Sequence, residues 1–338
     1  MKAILRLVTV AAVAVTGLAL AGNAFATQKL SVTQSATSLT IRVTQTANDQ
    51  QPARIQIYVP TGYQLNTSQA PGTNIGTTQG QVFARDQNIP LPLTGDVIVA
   101  KPSDFTTNSC SPGTNQAVWL LQLSVAGQTI SIPVYVNSTS GQETALGSAR
   151  LTVCLAPSDT PQGSPGRSPF GAQLLTAVFT VNNIFTPPVG ATRWTSFWTP
   201  YASGTGAPNA AGTVESRAFV GPGAVTIAGR VTNKKKHIVK LTGRVTYAGL
   251  GLGLTQVRLS VNNKLQASGR TNANGNYSFT LRKTSGKVRT FFFQARAISG
   301  ERDVTATGCA SPTQPGVACV SATASAFNVV SGKIKLKV

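Results

Sequence analysis

The strongest constraint on the fold is a series of short runs in which apolar and polar residues alternate, each bounded by turn-forming residues. In Ile55-Gln56-Ile57-Tyr58-Val59 the period is two, as in a strand with one face on a core. Such runs cover residues 38–45, 53–59, 96–100, 117–125, 129–136, 149–155, 172–181, 193–201, 214–220 and 225–231. No helical period competes with them. The sequence therefore predicts an all-β protein with antiparallel pairing.

The first 26 residues have the three parts of a cleavable secretory signal peptide. Lys2 and Arg6 give a basic start, residues 7–20 are apolar, and Ala24-Phe25-Ala26 is a small-x-small cleavage site. The apolar run is shorter than the roughly 20 residues that a membrane-spanning helix needs. We therefore expect cleavage after residue 26, no transmembrane segment in the mature chain, and a secreted or surface-associated bacterial protein.

The mature chain is long enough for two domains, each with its own core. Apolar residues make up 41% of the sequence, which is too many for a disordered chain. The first domain is predicted to be an antiparallel β-sandwich that covers residues 27–232. The Pro- and Gly-bearing stretch 157–169 is either a loop inside it, which we favour, or a boundary between two subdomains.

The second domain, residues 233–338, is distinguished by its charge. The whole chain carries a formal charge of +20. Residues 27–230 contain ten Lys or Arg and seven Asp or Glu, whereas residues 231–338 contain seventeen and two. The change begins at the Lys234 to Lys236 run. A charge this one-sided attracts polyanions.

The four cysteines are predicted to form disulfides, because their number is even and the chain is exported. Three pairings are possible. Locality favours Cys110 with Cys154 and Cys309 with Cys319, since each pair then lies within one predicted domain. No Cys-x-x-Cys spacing occurs and His237 is the only histidine, so the ligands of a zinc or redox centre are missing. No metal or cofactor is predicted.

Four segments of the second domain follow one another as in a known family. They are Leu241-Thr242-Gly243-Arg244-Val245, the glycine-rich turn 249–253, Val257-Arg258-Leu259 and the stretch 271–279, which contains Asn274-Gly275. Asn-Gly is typical of a two-residue hairpin turn. Together they resemble the carboxypeptidase regulatory-like, transthyretin-type β-sandwich family, which includes the Cna B-like modules of bacterial surface proteins. The resemblance implies an Ig-like or transthyretin-like sandwich that acts as a stalk, spacer or binding platform. Residues 27–232 carry no motif that we can assign to a characterised family.

Basic side chains of the second domain form the first candidate site, for anionic glycans, teichoic acid or lipopolysaccharide. The candidates are Lys234, Lys235, Lys236, Arg282, Lys283, Lys287, Arg289, Lys333, Lys335 and Lys337. In the terminal run 333–338 lysines alternate with aliphatic residues, as on an edge strand. If these charges converge on one face, they can bind a polyanion. Otherwise they keep the domain soluble and discourage its edge strand from pairing with a strand of another molecule. The sequence leaves both interpretations open.

The aromatic run 193–201 forms the second candidate site. Trp194 and Trp198 share one face of an extended strand, and Phe197 and Tyr201 share the other. If one face is exposed, Trp194, Trp198 and Tyr201 suit stacking on sugar rings. If both are covered, the run belongs to the core.

Catalysis and nucleic-acid binding are not expected. Acidic residues are scattered singly, apart from Glu301 and Asp303, and no Gly-x-Ser-x-Gly elbow is present. Export and the lack of an RNP-like motif argue against nucleic acid. We expect a secreted, non-catalytic, surface-associated structural or adhesive protein whose basic domain contacts anionic envelope polymers. The alternative is a carbohydrate-binding or carbohydrate-modifying protein that uses residues 193–201. The oligomeric state is left open.

Overall fold

The computed structural model describes residues 26–125, 127–282 and 290–338, and almost all of their regular structure is β. The strands are β1 (Lys29–Gln34), β2 (Ser38–Thr44), β3 (Pro52–Val59), β4 (Gln64–Leu65), β5 (Asn74–Ala84), β6 (Ile89–Ala100), β7 (Ala117–Val125), β8 (Gln128–Ser138), β9 (Ala149–Cys154), β10 (Ala172–Asn182), β11 (Phe185–Thr186), β12 (Thr192–Pro200), β13 (Val214–Val220), β14 (Gly223–Val225), β15 (Ala228–Asn233), β16 (Ile238–Tyr247), β17 (Leu250–Gly251), β18 (Gln256–Val261), β19 (Lys264–Arg270), β20 (Asn276–Arg282), β21 (Thr290–Ser299), β22 (Arg302–Asp303), β23 (Ala318–Ala324), β24 (Phe327–Val330) and β25 (Ile334–Lys337). One α-helical turn, α1 (Thr305–Gly308), and four 3₁₀ turns, Pro102–Phe105, Gly141–Ala145, Pro169–Gly171 and Ala210–Gly212, complete the described elements. The all-β prediction is confirmed.

The first unit is built on one thirteen-stranded sheet. Its order is β1-β2-β10-β5-β6-β7-β8-β9-β3-β12-β13-β23-β22. Its pairs are antiparallel except β13 with β23, which is parallel. The sheet curls around one large core, since Leu30 near one end and Ala218 near the other lie in the same buried cluster. Residues 157–169 lie in the connection from β9 to β10, which are both strands of this sheet.

Side-chain hydroxyls cover the open edge of β1. The hydroxyls of every second residue in and just after β23 donate to the carbonyls of every second residue in and just before β1. The bonds run from Ser321 Oγ to the Gln28 carbonyl (2.5 Å), from Thr323 Oγ1 to the Leu30 carbonyl (2.7 Å), and from Ser325 Oγ to the Val32 carbonyl. An uncovered strand edge invites pairing with another chain. Here these three carbonyls already have donors, so that edge is satisfied within the molecule.

The second unit is a sandwich of two sheets. One contains β14-β16-β15 with β17 and β20 on β16, and the other contains β19-β18-β21-β24 with β25 on β21. Val239 and Leu241 of the first sheet share a buried cluster with Leu259 and Phe293 of the second. The sandwich predicted for the basic part of the chain is therefore present.

The chain passes between the two units three times. After β13 it enters the sandwich at β14, returns to the large sheet through β22 and β23, and enters the sandwich again at β24. The boundary near residue 232 between two independently folding domains stays a prediction. The hydrogen bonding already assigns β14 and β15 to the sandwich, and it gives residues 302–303 and 318–324 to the large sheet.

The two units share an apolar contact. Tyr247 and Leu252 of the sandwich lie in one buried cluster with Ala322 and Ala324 of the large sheet. Phe219 of the large sheet packs against the same cluster, and within the sandwich the Tyr247 ring stacks on Phe327, with ring centroids 5.2 Å apart. Buried apolar surface of this kind resists relative motion between units.

A buried ion pair fixes the returning segment to the large sheet. Glu215 is fully buried and Arg217 is 7% exposed. Arg217 Nε donates to Glu215 Oε1 at 2.5 Å, and Arg217 Nη1 donates to the Gly308 carbonyl at 2.8 Å. Glu215 Oε2 accepts from the backbone N and the hydroxyl of Thr313, each at 2.7 Å. Residues 308–313 are thus held by groups of β13.

The prediction that Asn274-Gly275 forms the turn of a β-hairpin is wrong. The flanking strands, β19 and β20, lie in different sheets, so this turn carries the chain from one sheet to the other. The Gly275 N–H donates to the Asn272 carbonyl at 2.9 Å, and Gly275 alone of the pair has a positive φ, 81°. The Thr271 hydroxyl, bonded to the Leu252 carbonyl, anchors the chain just before the crossing.

Tyr58 makes the stability of the first unit depend on pH in the alkaline range. Its side chain is buried, and its hydroxyl donates to Glu143 Oε1 at 2.9 Å. Burial first, and this hydrogen bond second, raise the pKa of Tyr58 from 10.0 to about 12. The folded state thus holds the phenolic proton more tightly than the unfolded state, so the contribution is complete below pH 10 and is lost as the pH rises towards 12. We expect the free energy of unfolding, measured across this range, to fall less steeply with pH in Tyr58→Phe than in the parent. Equal slopes in the two proteins would contradict the raised pKa of Tyr58.

Candidate functional site

The outer face of the β15-β16-β20 sheet, here called the front face, is basic. Outward positions carry Arg230, Lys240, Arg244 and Arg282, and all four side chains are exposed. Arg230 lies directly opposite Lys240 in the β15–β16 register. Like charges placed directly opposite each other across two strands repel and destabilise the sheet. A bound anion would relieve this repulsion.

An open hollow of about 710 Å³ lies on the front face. It is lined by Lys240, Arg244 and Arg270 together with neutral hydrogen-bonding side chains that include Thr242 and Ser278. Several cations beside hydroxyl donors are the groups that bind phosphate or sulfate oxygens. The hollow can therefore accept an anionic group from solvent.

The opposite outer face of the sandwich, here called the back face, is also basic. Arg258 of β18 lies opposite Arg296 of β21. Arg296 Nε donates to Asn328 Oδ1 at 2.8 Å. Lys335 and Lys337 are exposed on β25, while the intervening aliphatic residues pack against the core. The alternation predicted for this terminal strand is confirmed.

No carboxylate neutralises either face among the described residues. The chain after residue 231 has two acidic residues, Glu301 and Asp303. Both are paired with bases of the large sheet: Asp303 Oδ2 lies 2.6 Å from Lys29 Nζ, and Glu301 pairs with Arg42. The acidic groups thus join the two units and leave the cations of both faces without an internal partner of opposite charge.

The predicted basic residues are divided between places rather than brought together. Lys234, Lys235 and Lys236 form the exposed turn between β15 and β16. Arg282 is on the front face, whereas Lys335 and Lys337 are on the back face and Lys333 lies next to the latter. Lys283, Lys287 and Arg289 are outside the described residues, as is the predicted signal peptide apart from Ala26. Convergence on one face is therefore not found for the candidates that can be placed.

Sequence reasoning missed the cations that define the two faces. They are Arg230, Lys240, Arg244, Arg258, Arg270 and Arg296. The signal was present in the period-two pattern: Lys240, Thr242 and Arg244 alternate with buried Val239, Leu241 and Val245. The lysine runs drew attention because they are contiguous, but a sheet face is made of every second residue.

The sugar-stacking interpretation of residues 193–201 is contradicted by burial. Trp194 is 0% exposed and Trp198 is 1% exposed. Trp198 Nε1 donates to Ser196 Oγ at 2.8 Å, and Tyr201, which is half-buried, donates its hydroxyl to the Leu155 carbonyl at 2.7 Å. Strand β12 lies between β3 and β13 with both faces covered. Trp194 and Trp198 therefore belong to the core, and Tyr201 lies at the end of the strand, where its hydroxyl is bonded to the backbone.

The cysteine pairing predicted from locality is confirmed. Cys110 is bonded to Cys154 and Cys309 to Cys319, with Cα–Cα distances of 5.8 and 5.4 Å. Within the described ranges, no group of three His, Cys, Asp or Glu side chains could hold a metal ion. No helix in those ranges is long and apolar enough to cross a membrane.

Comparisons with known proteins give remote similarities. No family model matches the chain, and no curated protein matches its sequence. Among solved structures, the chain is similar to the D00-D0 domain of Intimin, with 12% identity over 81% of this chain and 98% of that one and a TM-score of 0.21. It is also similar to a tetra-tandem repeat from the extending region of a large adhesion protein, with 13% identity over 93% and 74% and a TM-score of 0.23.

Proposed function

We propose that this chain is a secreted, non-catalytic structural or adhesive protein of the bacterial surface whose basic sandwich holds it on anionic envelope polymers. The observation that carries the proposal is that both outer faces of the sandwich bear cations opposite cations, with no carboxylate facing them among the described residues. Such an arrangement costs folding free energy unless an anion lies against it.

The two-sided distribution favours a long, flexible polymer over a small ligand. A chain of phosphates or sulfates can contact the front face, cross the lysine turn at residues 234–236 and reach the back face. Each contact releases counterions, so binding should weaken steeply as salt rises. This mode needs no deep pocket, in keeping with the open front-face hollow.

Binding to dextran sulfate and to poly(glycerol phosphate), with neutral dextran as reference, tests the proposal on the mature chain. Arg230→Gln with Lys240→Gln, and separately Arg258→Gln with Arg296→Gln, should each weaken polyanion binding about tenfold at 0.1 M salt. Each should also lower the slope of log affinity against log salt by about one to two, since two charge contacts are lost.

The matched control removes the same charge from the first unit. Arg54 and Lys101 are exposed there, and Arg54→Gln with Lys101→Gln should leave affinity and salt slope nearly unchanged. Equal losses in the control and in the face variants would mean that net charge, not the two faces, governs binding. Binding of neutral dextran equal to that of dextran sulfate would overturn the electrostatic proposal.

A further inference from the structure

A second, chemically different cavity lies inside the curl of the large sheet. Its volume is about 320 Å³, at the lower end of the roughly 300–1,000 Å³ found for small-molecule sites. Leu93, Leu121 and Ile132 are among the many aliphatic side chains that line it, and no described lining residue is charged. A charged group would lose its hydration here without a partner, so the interior suits hydrocarbon.

The wall of this cavity is mostly sheet that is already hydrogen-bonded. It is formed by strands β2, β3 and β5–β10, each of which is hydrogen-bonded to a neighbour on both sides, together with loop residues such as Leu155 and Pro169. A peptide placed inside would leave its own N–H and C=O groups without partners, at a cost of roughly 1–3 kcal/mol each by mutational estimates. A saturated chain carries no such groups.

The mouth differs from the interior. Gln79, Gln128 and Ser131 line the cavity and are exposed, which places neutral polar groups where a head group would meet water. Aliphatic lining residues such as Leu91 and Ile130 are only half-buried, so apolar surface remains open to solvent. Burying it would contribute roughly 25 cal/mol per Å².

Phe170 stands at the rim in an unusual conformation. Its φ is +55° and its side chain is 42% exposed, although non-glycine residues rarely adopt this backbone region. The segment is held in place because Arg167 Nη1 and Nη2 donate to the Asp86 carboxylate, and the Asp86 N–H donates to the Phe170 carbonyl at 3.2 Å. Backbone strain that the surrounding contacts maintain is a common feature of ligand clamps.

We propose that this cavity binds the hydrocarbon chain of a single-chain lipid with an uncharged head group, the chain lying among the aliphatic side chains and the head remaining at the polar mouth beside Phe170. This binding is independent of the polyanion faces and should be insensitive to salt, so the failure of one proposal leaves the other standing.

Calorimetric titration of the mature chain with hexyl, octyl and decyl maltoside, below their micelle concentrations, tests the proposal, with maltose as the head-group control. We expect one site, affinity rising about fourfold for each added methylene, and no binding of maltose. Absence of binding at every chain length, or binding of maltose as tight as that of decyl maltoside, would overturn the proposal.

Two variants locate the site. Ala177→Phe should fill the cavity, since Ala177 lines it, and should weaken decyl maltoside binding about tenfold or more. Val189→Phe, at a fully exposed position outside the cavity, should bind as the parent does. If Ala177→Phe fails to fold, Phe170→Asn tests the same site, because asparagine tolerates the positive φ; it should bind about threefold more weakly. Undiminished binding by a folded Ala177→Phe or Phe170→Asn variant would refute the location.

Discussion

Replacing Glu215 with glutamine should lower the free energy of unfolding by about 3 kcal/mol, because the Arg217 guanidinium would stay buried without a counterion. Glu215 is fully buried and supplies acceptors to both Arg217 and Thr313. Chemical denaturation of the parent and the variant measures the difference.

Asp303→Asn is the matched control for this carboxylate. Asp303 pairs with Lys29 on the surface, where the two side chains are 52% and 40% exposed, so the loss should stay below about 1 kcal/mol. Removing both buried charges, in Glu215→Met with Arg217→Leu, should recover part of the stability. A Glu215→Gln variant as stable as Asp303→Asn would show that the buried pair does not hold the returning segment.

Trp198→Ala should cost about 3–5 kcal/mol, the range for truncating a large buried aromatic side chain. The indole is 1% exposed and its Nε1 donates to Ser196 Oγ, so the change leaves a void and removes one of the two hydrogen bonds of the Ser196 hydroxyl, which also donates to the Ser216 carbonyl. Thermal and denaturant unfolding should show the loss. If Trp198 instead served a sugar on the surface, the variant would keep its stability.

Phe292→Ala provides the comparison for Trp198→Ala. Phe292 is 46% exposed on β21, and its truncation should change stability by less than about 1 kcal/mol. Similar losses at the two positions would mean that the aromatic run on β12 is not the packed centre that its burial indicates.

The strands with clear alternation were predictable because one face of each lies on a core. Strand β5 was missed because Asn74–Ala84 is rich in Gly, Thr and Gln. Its glycines are not turn residues: a Cβ on Gly76 would lie 1.8 Å from the Thr180 carbonyl oxygen of the neighbouring strand. Close approach of two strands demands glycine here, and a sequence pattern cannot distinguish that demand from a turn.

Long-range pairing set the other limit. The run Ala318–Ala324 consists mostly of small residues, and its partner β13 lies about a hundred residues earlier in the chain. Nothing local indicates that this segment leaves the sandwich to pair in parallel with the large sheet. The excess of positive charge in the second half was evident from composition. Its division between two faces depends on register, which the core contacts of β16, β18 and β21 decide.

The triple passage of the chain between the units has a mechanical consequence. If the sandwich is held on a surface and the large sheet is pulled, the tension is shared by three covalent connections, near residues 221–222, 300–301 and 325–326. A single proteolytic cut at one of them would leave the other two intact. The hydrogen bonds from the hydroxyls of residues 321–325 to residues 28–32 would also have to break before β23 could be pulled out of the sheet. The two units would therefore resist a pulling force together, and not as separate domains joined by one linker.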